Sequence, residues 1–252
     1  MDGPSTGIAV FFCLILAGLG GMSLRTRMPQ GLLSREVIAW LRRGVTTVTL
    51  LAVLFLAYTT ISLKTSFDRA DREVKHLSAQ IVELDRSLRR IGPDAMPLRD
   101  LLFRYTNRTL KDTWPDRNAR LPVGPTPAGE LREQVRAALE ALPHGDRLRM
   151  QSVAEAQQYL ADIATTRLSI FENTTSPLSA WVEGILVLWL MITFGSLGLA
   201  APRSPIVVAS LLLLASVIGS AAFLMQEFDD PFAGLIVVSS APMENALFTI
   251  TE

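Results

Sequence analysis

The chain has 252 residues, 49% of them hydrophobic and 19% charged, with a formal net charge of zero. Its mean hydropathy of +0.32 is high for a chain with that many charges, so the charge must be segregated from apolar blocks. A neutral balance supplies no basic field for nucleic acid. The single cysteine, Cys13, excludes an intramolecular disulfide.

The first apolar block covers about 7–24. Its leader Met1-Asp2-Gly3-Pro4-Ser5-Thr6 has no basic stretch and no small-x-small cleavage site follows, so a retained transmembrane helix is expected rather than a signal peptide. The next segment sets Leu32, Leu33, Val37, Ile38, Trp40 and Leu41 among arginines and reads as a basic amphipathic helix on the inner leaflet. A second block spans 45–63. Two more, about 182–199 and 206–225, are each long enough to cross a bilayer. Only the short stretch Ala200 to Pro205 separates them, so they form a hairpin.

The loops predict orientation. Arg25, Arg27, Arg35, Arg42 and Arg43 face only Glu36 between the first two spans, and short basic loops stay in the cytoplasm. Both termini and the central region are then extracytoplasmic. Arginine outnumbers lysine twenty-one to three, a bias that points to a GC-rich bacterial source, so with these spans the expected location is a bacterial cytoplasmic (inner) membrane.

From Val45 to Ile91 there is neither proline nor glycine, which allows one continuous helix. Its later half repeats apolar residues every three or four positions: Phe67, Ala70, Val74, Leu77, Ile81, Leu84, Leu88, Ile91. Gly92-Pro93 ends it. That seam can meet another subunit in a parallel coiled coil, or the returning segment 146–173. The return has the same length as 64–91 and its own apolar series in Val153, Ala156, Leu160, Ile163 and Ile170. The equal lengths favour an antiparallel stalk within the chain. Counted from the membrane, Arg167 falls level with Ala70, so Asp68 or Asp71 is its expected partner. Ser176-Pro177 reads as a cap and first-turn proline opening the third span. Two shorter helices sit between the stalk arms, marked by Leu98, Leu101, Leu102, Tyr105 and Thr109, and by Leu131, Val135, Ala138, Leu139 and Leu142.

The expected fold is therefore an all-α integral membrane protein. Four transmembrane helices in two pairs flank a helical extramembrane domain, an antiparallel stalk plus two short helices, between spans 2 and 3. The domains are 1–63, 64–176 and 177–252. No phosphate-binding glycine loop, nucleophile elbow or zinc-protease helix is present, and His76 and His144 lack acidic or cysteine partners at ligand spacing. No enzyme, cofactor or metal site is expected. The candidates for ion binding are the acids at the membrane boundary, Glu183, Glu227, Asp229 and Asp230, since ionisable groups near membrane depth are costly. Small and hydroxyl residues of the spans, among them Gly195, Gly198, Ser216 and Ser220, read as packing faces. Thr46, Thr49, Thr59 and Thr60 are the alternative lining of a polar path.

The block Asp230-Pro231-Phe232-Ala233-Gly234 follows the last span, with Val238-Ser239 and Pro242 after it, and Arg104-Tyr105 and Thr113-Trp114-Pro115 lie upstream. On these residues, from about Val45 to Leu247, the chain resembles the bacterial bestrophin-like domain proteins. It departs from them at Asp71-Arg72-Glu73, where a Glu-Ala pair is usual, and in a proline-rich loop after Trp114. The resemblance implies a four-span membrane protein related to anion channels, hence a homo-oligomer that conducts or binds ions. The competing reading is a non-conducting membrane anchor whose extracytoplasmic helices bind a protein partner. In either case Asp230-Pro231 stops the fourth helix, Gly234 permits a turn, and Phe232 anchors at the interface.

Overall fold

A computed structural model describes residues 3–28, 35–114, 127–142, 147–173, 180–202, 204–229, 231–232 and 235–251. Among them the regular structure is helical: α1 (Gly3–Arg27), α2 (Arg35–Ile91), α3 (Met96–Thr113), α4 (Pro127–Glu140), α5 (Arg147–Asn173), α6 (Ala180–Ala200), α7 (Pro205–Asp229) and α8 (Ala241–Thr251). Four of these are long and apolar enough to cross a membrane, over Ser5–Arg27, Ala39–Ile91, Glu183–Ala200 and Pro205–Asp229. This is the pattern of a multi-pass membrane protein. The chain divides into two compact units, Met1–Thr65 with Ser176–Asp229, and Ser66–Thr175 with Asp230–Glu252.

In the first unit α1 is the central element and packs on both α6 and α7. Glycines make the approach possible. A Cβ on Gly21 would collide with the carbonyl of Gly195, and one on Gly198 with the carbonyl of Gly18. Removing side chains at such a crossing lets two backbones touch, which compensates in lipid for the missing hydrophobic drive. Near the end of α1, Arg25 Nη1 donates to the carbonyls of Ala200 (3.1 Å) and Ala201 (2.6 Å). A cation there satisfies the free carbonyls at a helix C-terminus. An added Cβ on Gly18 would also meet the Phe194 carbonyl and one on Gly21 the Leu199 nitrogen, so with Arg25 at Ala200 and Ala201 α1 and α6 run in the same direction. Gly18 meets Leu211 whereas Gly7 meets Gly219 and Phe223, so α7 runs opposite to α1. The pairs Thr49–Thr193 (hydroxyls 3.5 Å apart) and Phe55–Trp189 (centroids 6.0 Å) likewise set α2 opposite to α6. The four spans therefore alternate in direction as the chain passes along them.

Helix ends follow local chemistry. Ser204 Oγ accepts from the Val207 N–H at 3.3 Å and Pro205 is the first residue of α7, a cap followed by a proline that has no N–H to lose. The corresponding Ser176-Pro177 lies outside the described residues. α2 starts at Arg35 and runs through Gly44 without a break, so the segment read as a separate amphipathic helix continues into the span. At the other end Gly92 takes φ 101°, a conformation that side chains resist. A short 3₁₀ turn, Pro93–Ala95, then leads into α3.

The second unit has its own core. The α2 seam from Ala70 to Ile91 is buried in one cluster with Leu98, Leu102 and Tyr105 of α3, Val135 and Leu139 of α4, Ala156, Leu160, Ile163 and Ile170 of α5, and Met243 and Ile250 of α8. Ile81, Leu84 and Leu88 have no exposed surface. The seam is thus filled by this chain itself. Arg90 pairs with Glu155, and Arg149 Nη2 bonds Asp94 Oδ2 at 2.5 Å, tying the start of α5 to the end of α2 and its following turn. α8 was not expected from the sequence. It packs on α3 and is opened by Ser240, whose hydroxyl bonds Glu244 Oε1 at 2.5 Å.

Candidate functional site

All four spans of the first unit line a cavity of about 90 Å³. α2, α6 and α7 each contribute one face at helical spacing. α6 supplies Glu183, Leu186, Val187 and Leu190, and α7 supplies Ile218, Ala222, Met225, Gln226 and Asp229. α2 adds Phe55, Leu56, Thr59 and Leu63, and α1 adds Val10. The apolar residues follow from spans that must be greasy on every side. Glu183 opens α6, and Gln226 and Asp229 close α7, so the polar groups gather at one end of the cavity. That end is opposite the Arg25 contact.

Two of the acids singled out from the sequence, Glu183 and Asp229, are therefore brought to one cavity. Glu227 is 5% exposed on α7 and is not among the lining residues. Asp230 lies outside the described residues. Gln226 was not foreseen, although it shares a helical face with Ala222 and Asp229, four and three residues away. Thr59, 2% exposed, places its hydroxyl on its own helix, donating to the carbonyls of Phe55 (3.1 Å) and Leu56 (2.9 Å). The same is true of Thr46, Thr49 and Thr60, and of Ser216 and Ser220.

The chemistry of the cavity follows from these groups. Carboxylates at the polar end attract cations and disfavour anions, and the apolar wall raises the effective strength of that attraction. A volume of about 90 Å³ admits a few waters or a small cation that keeps part of its hydration.

The remaining sequence-predicted residues belong to the second unit. Arg167 of α5 stands 3.8 Å from Asp112 Oδ2 of α3, with its guanidinium 5.8 Å above the Tyr105 ring. Asp71 accepts from Lys75 Nζ at 2.6 Å, and Asp68 is half-buried on the same helix. In the Asp-Pro-Phe block, Pro231 accepts from the Val238 N–H at 2.8 Å, which closes a turn after α7. Phe232 is 4% exposed and meets Trp114 edge to face, centroids 5.5 Å apart. Trp114 Nε1 in turn donates to the Val238 carbonyl at 2.8 Å. Phe232 is thus a core residue joined to α3, where the sequence had pointed to an interfacial anchor. Gly234 lies outside the described residues.

The family model of the bestrophin-like domain matches residues 12–243. No curated protein and no solved structure matches the chain.

Proposed function

The chain belongs to the bestrophin-like domain family, and on that premise we propose that it is a homo-oligomeric integral membrane protein that binds a small cation at its Glu183–Asp229 cavity and conducts ions. The observation that carries this reading is the convergence of two carboxylates and the Gln226 carboxamide at one end of a cavity lined by all four spans. One subunit surrounds only a small volume, so conduction requires several subunits about a common axis. Planar bilayers containing the purified protein test it. Cation-selective current is expected, and the Glu183→Gln/Asp229→Asn double variant should lower it by about tenfold through loss of the local field. Silence of the wild-type protein beside a working control channel overturns conduction. Binding has a separate readout, a cation-dependent rise in melting temperature that the double variant lacks.

The proposed setting is a bacterial cytoplasmic membrane, with residues 1–63 and 177–252 carrying the spans and 64–176 an extramembrane helical domain. Arg25, Arg27, Arg42 and Arg43 put the α1–α2 connection in the cytoplasm. A second reading is favoured by the continuous core of the second unit, which α8 completes. There the helical domain is a docking module for an extracytoplasmic protein and the spans are its anchor. Failure of both current and cation binding, with a partner recovered by the helical domain, supports that alternative.

A further inference from the structure

In the helical unit, α3 presents Tyr105, Thr109 and Asp112 at positions i, i+4 and i+7, on one face. All three are buried, Tyr105 completely. The Tyr105 hydroxyl, the Thr109 hydroxyl and Asp112 Oδ2 have no hydrogen-bond partner among the described residues. Thr109 stands apart from its counterparts. Thr60, Thr106 and Thr193 each donate to the carbonyl four residues earlier, the usual refuge of a helical hydroxyl. The Thr109 hydroxyl forgoes that bond. Arg167 reaches across the face, 3.8 Å from Asp112 Oδ2 at one end and 5.8 Å from the Tyr105 ring centre at the other.

Buried polar groups are almost always hydrogen-bonded, and three exceptions along one helix face call for a common partner. We infer that this face is an internal hydration site, in which one or two ordered waters bridge the Tyr105 and Thr109 hydroxyls to Asp112. Water fits the donor set. Both hydroxyls donate and accept, and the carboxylate accepts only. A metal cation fits poorly, because Asp112 already faces Arg108 Nε at 2.9 Å and Arg167. Buried waters commonly make about three hydrogen bonds, the number of oxygens left over here.

The full chain in detergent provides the test. Brief X-ray radiolysis generates hydroxyl radicals from water held in place, so Tyr105 of the wild-type protein should be oxidised despite its complete burial. Thr109→Val should cut that labelling severalfold, and Thr109→Ser, which keeps the hydroxyl, should restore it. Losing the Thr109 arm of the water bridge, Thr109→Val should melt about 2–4 °C lower. An unlabelled Tyr105 in the folded wild-type protein overturns the proposal and needs no variant to be read. A higher melting temperature for Thr109→Val also overturns it, since removing a dry, unsatisfied hydroxyl stabilises. In the Glu183→Gln/Asp229→Asn background, a melting temperature that tracks one ion at fixed ionic strength would show an ion in place of water and overturn the proposal. That background keeps cation binding at Glu183 and Asp229 out of these readouts.

Discussion

Asp85 of α2 shows how far one carboxylate can organise the helical unit. Its side chain is 3% exposed and lies between Arg89 Nε (2.6 Å) and Arg99 Nε (2.7 Å). Each arginine then turns its remaining nitrogens to the end of α8. Arg89 donates to the Thr249 carbonyl (3.2 Å) and Arg99 to that of Ile250 (3.0 Å). These are carbonyls with no further turn of helix to accept from, at the negative end of its dipole. Asp85→Ala removes the counter-charge that holds both guanidinia. The arginines keep partial contact with water, so the cost is below that of a fully buried pair, about 2 kcal/mol. Thermal unfolding of the helical unit should show it, with Trp114 emission as a local reporter because that indole bonds Val238 ahead of α8. Glu133 is the contrast. Hydrogen bonds from Arg132 and Arg136 hold its carboxyl below the usual carboxylate range, a contribution present above the unfolded pKa and lost as pH falls through the folded one. The group is exposed, however, and solvent screens the pair. Glu133→Gln is expected to leave the melting temperature unchanged within about 1 °C, whereas Asp85→Ala lowers it.

Between elements, the spans and the helical unit are held by different physics. α1 meets α6 through glycines whose missing Cβ atoms are filled by backbone of the facing helix. Backbone cannot move aside like the tip of a flexible side chain. Gly198→Ala must therefore part the two helices, at about 1–3 kcal/mol, and Gly21→Ala should act alike. Gly20, on the same helix, has nothing within reach of an added Cβ, so Gly20→Ala is the matched control. Loss of melting temperature for the first two and none for the third is the expected pattern. The sequence made these elements legible to different degrees. The α2 seam could be read because an uninterrupted heptad repeat has only one buried face, and its burial follows that repeat from Ala70 to Ile91. Counting along two antiparallel arms does not reach Asp112, because a third helix, α3, enters the same core and brings that carboxylate to 3.8 Å from Arg167. α8 was hidden for another reason. It is a short segment beyond the last apolar span, although Met243, Ala246 and Ile250 carry a helical spacing that is fully used in burial. At the cavity, Glu183 and Asp229 stood out as acids at span ends, while neutral Gln226 gave no signal until its helical face was set against theirs.

At the scale of the whole molecule the open question is orientation, and the first unit constrains it. α1 and α6 end together, since Arg25 caps the last carbonyls of α6. Both short connections of that unit, α1 to α2 and α6 to α7, therefore lie on one side. Arg25, Arg27, Arg42 and Arg43 are on or beside the first of them. A short loop rich in arginine resists translocation, while a long domain crosses largely regardless of its charge. The chain leaves the unit partway along α2, after Thr65, and at the end of α7, after Asp229, both away from this side, so the helical residues 66–175 should be extracytoplasmic. Cysteine accessibility decides between the two orientations. Cys13 is the sole native thiol, and Cys13→Ser gives a blank background. Thr26 at the end of α1 and Gln158 on α5 are both exposed, so substitution by cysteine should disturb neither fold. An impermeant maleimide added to intact spheroplasts should label Gln158→Cys at once and Thr26→Cys only after lysis. The reverse order would place the arginine-rich connection outside and the helical unit in the cytoplasm. It would also move the acidic end of the cavity from the outer to the inner face, so that a cation reaching Glu183 and Asp229 would arrive from the cell interior.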